Sequence, residues 1–261
     1  MQKNSSTFPV IAIAGSPRVG SMWTFNVTRA LIREAGLAPV PKRVPKTDEE
    51  GLEIVASYLR SAAADSRCVV KLHSLLHVSP DLIVIRNKRD IRDRLFSYFQ
   101  FLKVSIDEQS IEAAVSKSLA KEAHYDRWPA DRILNIPFES IENQSDEVIR
   151  KIATFIGLSA LNEKIIRSVD FRFSKQQVRK KIADLEHHVL DGEGNFKQGV
   201  NPDAVVEALG QVRAFDVDSG FQSGHVTDYC PGDWRHLWTE RQKQMVDAAI
   251  RAASHRFAQK S

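Results

Sequence analysis

The feature that most constrains the fold is an apolar run that ends in a glycine turn and continues as an amphipathic pattern. The run Val10–Ala14 stops at Gly15, the turn occupies residues 16–21, and a helical pattern extends to about Arg33. In a strand–turn–helix of this kind, backbone N–H groups at the helix start can surround an anion. Glycines at 15 and 20 permit the positive φ that close approach of the backbone requires. The sequence therefore predicts an anion site here; an ordinary strand–turn–helix with a solvent-facing arginine is the alternative.

The turn differs from the ATP/GTP phosphate loop, G-x-x-x-x-G-K-[ST], at two positions. Gly15 and Gly20 have the required separation, but Ser21 stands in place of the lysine and Met22 in place of the hydroxyl residue. Arg18 inside the turn supplies a fixed cationic fork instead. We therefore expect an anion site other than that of an ordinary NTP hydrolase. A P-loop kinase or NTPase that acts on a small substrate stays an alternative.

Further apolar runs alternate with helical patterns. Three more strands are predicted, at Cys68–His73, Leu82–Ile85 and Ile133–Pro137. The intervening patterns predict helices at about 49–64, to about 103 and at 145–156. This alternation predicts an α/β fold, a P-loop-like three-layer sandwich in which helices flank a central parallel β-sheet.

Polar groups follow three of the four predicted strands. The glycine turn follows the first strand, Lys71 and His73 end the second, and the cluster Arg86–Arg89 follows the third. In parallel sheets ligands bind beyond the carboxyl ends of the strands. We therefore expect these three groups to meet in one site.

The chain of 261 residues is long enough for one α/β domain, and we expect a single domain over residues 1–261. From Ser174 the pattern loosens around several glycines, which predicts an irregular, substrate-covering segment at about 174–224. A final helix is predicted from Thr239, as its N-cap, to about Phe257.

Composition excludes several classes of protein. The net charge of +4 suits an anionic small ligand as well as a polyanion, so it decides little by itself. No interleaving of basic and aromatic residues indicates a nucleic-acid partner. Cys68 and Cys230 form no disulfide framework and no metal-ligand pattern, so we expect reduced thiols in a cytoplasmic protein. The run Val10–Ala14 is too short for a signal or membrane anchor. His187 and His188 are adjacent and point in different directions, so we expect no metal.

Taken together, these segments resemble the nucleotide-dependent sulfotransferases, which use 3′-phosphoadenosine 5′-phosphosulfate (PAPS). The segment Pro17–Trp23 is similar to the family's P-[KR]-S-G-[TS]-T-W loop around the 5′-phosphosulfate, although Val19 and Met22 depart from that pattern. Lys71–His73 is similar to the family's K-x-H. The resemblance implies that His73 is the general base and that Arg18, with Lys71, stabilises the leaving phosphate. It also implies cofactor contacts from residues of the loop: Arg18, Val19, Gly20, Ser21, Met22 and Trp23.

The arginine-rich segment resembles the family's R-[ND]-x-[KR]-D-x-x-x-S, which holds the 3′-phosphate. Two registers compete: Arg89 with Ser97, which we favour, and Arg86 with Arg94 in the place of the serine. Phe138 is similar to the aromatic residue of a family pair near the adenine.

Phe173 is a second adenine neighbour under the same resemblance. Near the C-terminus, Gly232–Arg235 resembles the G-D-W of the family's R-K-G-x-x-G-D-W, whose first half is missing here. Gly224 is a candidate for the displaced glycine, and which residues replace that contact stays open.

The resemblance implies transfer of a sulfuryl group from PAPS to a hydroxyl or amine of a small-molecule acceptor, without a metal, a nucleic acid or a membrane partner. The P-loop kinase and a catalytically inactive nucleotide-binding module are the alternatives. The sequence specifies neither the acceptor nor the oligomeric state, for which a homodimer is one option.

Overall fold

A five-stranded parallel sheet organises the chain. The computed structural model describes residues 9–61, 65–103, 106–193, 195–208 and 211–258. The strand order is β2-β3-β1-β4-β5, and every pairing in the sheet is parallel. Its strands are β1 (Val10–Ala14), β2 (Ala38–Val40), β3 (Ser66–Leu72), β4 (Leu82–Lys88) and β5 (Ile133–Pro137).

Helices follow every strand of the sheet except β3, and a small antiparallel hairpin lies further along the chain. Within the described ranges the helices are α1 (Ser21–Glu34), α2 (Asp48–Ser61), α3 (Ile91–Leu102), α4 (Glu108–Tyr125), α5 (Phe138–Asn143), α6 (Ser145–Phe155), α7 (Glu163–Arg172), α8 (Lys175–Val189), α9 (Trp234–Leu237) and α10 (Glu240–Ala258). The hairpin lies between α8 and α9 and pairs β6 (Val205–Ala208) with β7 (Gln211–Ala214). No helix in the part of the chain that the structure describes is both long and apolar enough to cross a bilayer.

The alternation of side chains along β1 divides the interior into two cores. Ile11 and Ile13 pack with α1, α6 and α7 on one face, whereas Val10 and Ala12 pack toward Tyr58 and other residues on the opposite face. Each fully buried aliphatic side chain contributes roughly 1.5–3 kcal/mol relative to an exposed one. Burial on both faces explains why the strands are almost continuously apolar. The predicted three-layer α/β architecture is confirmed.

Several regions depart from the sequence-based assignment of helices and strands. The segment predicted as irregular begins with helix α8, because Val178, Ile182 and Val189 form a narrow buried stripe on an otherwise charged helix. Helix α4 was not predicted, since its buried face mixes Ile111 and Val115 with polar side chains. The β2 strand, the hairpin and α7 were also missed.

The register of the strands explains where the site lies. Ala14 at the end of β1 is level with Leu72 on β3 and with Arg86 on β4. Strand β4 continues to Lys88, three residues beyond the predicted end, because it pairs with β5 as far as Pro137. As a consequence Gly15, His73 and Arg89 follow their strands at the same edge of the sheet.

Candidate active site

The start of α1 offers backbone N–H donors that have no partner within the helix. Gly20 is its N-cap with φ of 85°, no side chain caps the helix, and no acidic residue lies in the first turn. The first N–H groups of an α-helix have no partner within the helix, and its dipole favours an anion at this end. A Cβ on Gly20 would lie 3.0 Å from Ile141 Cδ1 and 3.2 Å from Phe138 Cδ2, so a side chain here would have to displace these neighbours in addition to adopting a positive φ.

A cavity of about 460 Å³ opens in front of this helix start. Eleven residues come from the loop, the pair Lys71 and His73, the favoured Arg89–Ser97 register and Phe138, and ten of these eleven line the cavity: Arg18, Gly20, Ser21, Met22, Trp23, Lys71, His73, Arg89, Ser97 and Phe138. Val19 is the exception, because its side chain is buried at 2% exposure beneath the loop. Its Cγ2 lies 3.1 Å from where a Cβ on Gly15 would be, so Val19 contributes packing to the loop.

The ring of His73 faces the glycine turn. Its Nδ1 lies 2.9 Å from the carbonyl oxygen of Gly15, and its Nε2 lies 2.8 Å from Lys71 Nζ. A carbonyl oxygen only accepts, so we assign the proton of the neutral ring to Nδ1 and the lone pair to Nε2, where it accepts from Lys71 Nζ. Burial, reinforced by the nearby Lys71, lowers the pKa of His73 to about 3. The imidazole is therefore neutral, and Nε2 is the atom able to accept a proton.

The backbone of His73 is clamped from two helices. Both carboxylate oxygens of Asp48, on α2, accept from the His73 N–H, at 2.9 and 3.0 Å. Asp48 also accepts from Ser74 Oγ at 2.5 Å. From α4, Lys121 Nζ donates to the His73 carbonyl oxygen. Sequence reasoning missed Asp48 and Lys121, because nothing local distinguishes them from ordinary residues of charged helices.

Lys71 and Arg18 carry their charges in unfavourable surroundings. Burial lowers the pKa of Lys71 to about 8. Burial, together with the charges of Arg89 and Arg213, lowers the pKa of Arg18 to about 10. A bound anion would relieve both effects, since an opposite charge nearby favours the protonated form.

The guanidinium of Arg18 reaches from the loop to two other parts of the chain. Its Nε donates to Ser97 Oγ at 3.0 Å, and its Nη2 donates to the carbonyl oxygens of Gly224 and His225 at 3.3 and 3.2 Å. It lies 4.5 Å from the centre of the Phe101 ring. Arg18 itself has φ of 68°, a conformation that non-glycine residues seldom adopt and that recurs at functional sites.

The two candidate arginines of the third motif have different surroundings. Arg89 lines the cavity, its guanidinium lies 4.1 Å from the Phe138 ring, and its Nη1 donates to the Arg18 carbonyl oxygen at 3.1 Å. The Nε of Arg89 is buried and has no hydrogen-bond partner among the described residues. Arg86 instead points from β4 to α4, where its Nη2 lies 2.7 Å from Asp126 Oδ1 and 3.3 Å from Glu122 Oε2.

The serine position distinguishes the registers in the same way. Ser97 lines the cavity, whereas Arg94 is buried against α4 and donates to Ser118 Oγ. Among the described residues, Arg89 and Ser97 of the favoured register therefore line the cavity, whereas Arg86 and Arg94 of the other register do not.

Aromatic side chains form the other end of the cavity. Trp23 Nε1 donates to the carbonyl oxygen of Phe173 at 3.0 Å, which fixes the indole at the start of α1. Phe173 and Phe138 line the cavity beside it, and α8 adds Val178. Flat apolar surfaces of this kind suit a planar heterocycle such as a purine base.

The C-terminal match lies away from the cavity. The N–H of Gly232 donates to Asp93 Oδ1 at 2.7 Å, and Arg92 lies 5.3 Å from the Trp234 ring. Residues 232–235 are not among those that line the cavity, so in this structure they link α3 to the C-terminal region. Among the described residues, no three His, Cys, Asp or Glu side chains are grouped so that they could hold a metal ion. His187 and His188 on α8 therefore belong to no such group.

Comparisons with known proteins identify the family and the fold. The family model described as "Sulfotransferase domain" matches residues 9–200. No curated protein sequence matches the chain.

Solved structures share the fold. Retinol dehydratase in complex with androsterone and the inactive cofactor PAP superposes with a TM-score of 0.61 at 14% identity, over 95% of this chain and 81% of that one. Mouse sulfotransferase SULT7A1 complexed with PAP gives a TM-score of 0.57 at 14% identity, over 94% of this chain and 83% of that one. Because the family match covers well over half of its residues, the chain belongs to the sulfotransferase family of enzymes.

Proposed function

We propose that this enzyme transfers the sulfuryl group of PAPS to a hydroxyl or amine of a small-molecule acceptor. The observation that carries the proposal is the convergence of an uncapped helix start, three cationic side chains and a neutral imidazole on one cavity. Arg18, Lys71 and Arg89 all line it, and the pKa of each is lowered, mainly by burial. Such a site is built for a ligand with several negative charges.

The residues present fit the nucleotide. The buried, unpartnered Nε of Arg89 and the hydroxyl of Ser97 would hold the 3′-phosphate. The first N–H groups of α1, with Ser21 and the backbone of Val19 and Met22, would hold the 5′-phosphosulfate. Trp23, Phe138 and Phe173 would enclose the adenine. The PAP found in two structures of the same fold supports this donor.

PAPS supplies the sulfuryl group, whose S–O bond to the 5′-phosphate breaks, leaving its electron pair on the phosphate, as a bond from sulfur to the acceptor forms. His73 Nε2 takes the proton of the acceptor, because its lone pair is free once Lys71 turns away from it. Arg18 and Lys71 stabilise the charge that develops on the leaving phosphate. Asp48 and Lys121 keep the imidazole in place through its backbone.

The proposal favours transfer over the two alternatives. The positions that a kinase loop uses for lysine and a hydroxyl hold Ser21 and Met22. An inactive nucleotide-binding module would need no base, whereas His73 presents one at the cavity. The acceptors androsterone and retinol bound by related structures support a small organic acceptor here. We also propose a cytoplasmic enzyme, because Cys68 and Cys230 are both free thiols.

A transfer assay with labelled PAPS tests the proposal, with phenols, aliphatic alcohols, amines and sugars as acceptors. We expect transfer to one of these classes, and we expect His73→Ala to reduce kcat by about 100-fold or more, because general base catalysis is lost. Binding of PAP by the variant should persist.

His236→Ala is the control, since His236 is exposed on α9. A His73→Ala enzyme with unimpaired turnover would remove His73 from the role of base. PAP binding without transfer to any acceptor would favour the inactive module.

A further inference from the structure

A second histidine, which no sequence motif identified, lines the same cavity. His225 lies in the loop after the β6–β7 hairpin, and its carbonyl oxygen accepts from Arg18 Nη2 at 3.2 Å. Its ring stacks on Phe101, with 5.7 Å between centroids and 25° between planes. Phe221 makes an edge contact with it at 6.4 Å. These contacts hold the ring in one orientation.

The backbone determines which nitrogen of His225 carries the proton. The N–H of Gln222 donates to His225 Nδ1 at 3.2 Å, so Nδ1 uses its lone pair in this bond. In a neutral imidazole the other nitrogen then carries the proton, and we assign the Nε2–H tautomer on this basis. No described residue accepts a hydrogen bond from Nε2. His225 is therefore a donor, whereas His73 is an acceptor.

The charges around His225 keep it neutral. Burial lowers its pKa, and the cations Arg18, Lys71 and Arg213 lower it further, as does the neighbouring His73. A protonated ring would be one more cation in a site that already holds several. At neutral pH the His225 imidazole is neutral and donates from Nε2, whereas the neutral ring of His73 presents a lone pair at its Nε2.

We propose that His225 is a further catalytic residue, which donates a hydrogen bond from Nε2–H to a non-bridging oxygen of the sulfuryl group during transfer. This inference rests on the proposed function. His225 lines the same cavity as Arg18, Lys71 and His73, the three residues that the proposed function places at the reacting atoms, and its backbone carbonyl accepts from Arg18 itself. In this position the Nε2–H of His225 would donate to an oxygen of the sulfuryl group while that group moves from PAPS to the acceptor. His225 keeps its proton throughout, since the acceptor's proton goes to His73.

The substitutions His225→Phe and His225→Gln test this role. Phenylalanine retains a ring against Phe101 but has no N–H, so we expect kcat to fall about 100-fold, which is typical of losing one donor to developing charge. The affinity for PAP should stay within about twofold, which shows that the variant is folded. Glutamine restores an N–H donor and should recover part of the lost kcat. Equal rates for the wild type and His225→Phe would overturn the role of His225.

Nitrogen-15 NMR of the histidine rings gives a readout that does not depend on turnover. In the wild-type complex with PAP at pH 7, we expect a neutral His225 with its proton on Nε2. A proton on Nδ1, or a doubly protonated ring, would overturn the inference even if the variants lose activity. Failure of the wild type to transfer any sulfuryl group would instead overturn the proposed function, so the two failures are distinguishable.

Discussion

At the scale of single residues, the two histidines of the cavity differ because of one hydrogen bond each. Nδ1 of His73 donates to the carbonyl of Gly15, whereas Nδ1 of His225 accepts from the N–H of Gln222. The same side chain therefore presents a lone pair in one place and a proton in the other. Residue type alone could not have predicted this division, since it depends on which backbone group each ring meets: Gly15, 58 residues away, for His73, and Gln222, three residues away in a turn, for His225.

Lys71 gives the first prediction, which concerns pH. Because the pKa of Lys71 is about 8, the side chain loses its charge above that pH. The uncharged amine no longer stabilises the leaving phosphate. We expect kcat/KM to fall above about pH 8, because this parameter reports groups of the free enzyme. In Lys71→Arg the guanidinium stays charged, so the fall should move to higher pH even if the rate at pH 7 is lower. An unchanged alkaline limb in Lys71→Arg would contradict the assignment.

At the scale of secondary-structure elements, the glycine that begins α1 determines how the backbone donors meet the anion. Gly20→Ala places an alanine at φ of 85° and brings its Cβ to 3.0 Å from Ile141. The left-handed conformation costs about 1–2 kcal/mol for such a residue, and the contact displaces the loop further. We expect the free energy of unfolding to fall by about that amount and PAP binding to weaken at least tenfold, measured by urea denaturation and calorimetry.

Gly36→Ala is the matched control for this substitution. Gly36 lies beyond the other end of α1 with φ of 78°, and a Cβ there would meet nothing within 4 Å. This variant should lose a similar amount of stability while its affinity for PAP stays unchanged. Equal affinities for PAP in the two variants would show that the loop at Gly20 does not hold the nucleotide.

The elements also show how far the sequence could predict the structure. Strongly apolar β1, β3, β4 and β5 were recognisable because both of their faces are buried, and Thr239 was recognisable as the residue before α10, where its Oγ1 accepts from the N–H of Gln242 at 3.2 Å. Helix α8 could not be recognised, because its buried stripe is only a few residues wide. The contacts of Asp48 and Lys121 with the backbone of His73 could not be predicted either. Asp48 is separated from His73 by 25 positions in the sequence, and Lys121 by 48.

At the scale of the whole molecule, the two buried neutral histidines link folding to pH. In the unfolded chain each imidazole binds a proton below about pH 6.5, whereas burial keeps the pKa of His73 at about 3 in the folded protein and lowers that of His225. The unfolded state therefore binds more protons, and the free energy of unfolding falls as the pH falls. Lys71, Lys121 and Arg18 surround these rings and act in the same direction.

We expect the free energy of unfolding to decrease by up to about 2 kcal/mol for each of the two histidines between pH 7 and pH 5. Urea denaturation at pH 7, 6 and 5 measures this loss in a range where ordinary carboxylates stay ionised. His225→Phe should show a distinctly smaller decrease, because one of the two groups no longer titrates. Equal stability of the wild type at pH 7 and pH 5 would contradict a cavity that keeps both imidazoles neutral.

Calorimetry with PAP and with AMP tests the central claim most directly, because the two nucleotides differ in the 3′-phosphate. The wild type should bind PAP at least about 100-fold more tightly than AMP, since charged hydrogen bonds are worth about 1.5–3 kcal/mol each. Arg89→Ala should reduce that ratio to less than about tenfold. Arg92→Ala should leave it unchanged, because Arg92 pairs with Asp247 outside the cavity. Equal binding of PAP and AMP by the wild type, or equal loss of both in Arg89→Ala, would contradict a cavity built for a 3′-phosphorylated adenosine.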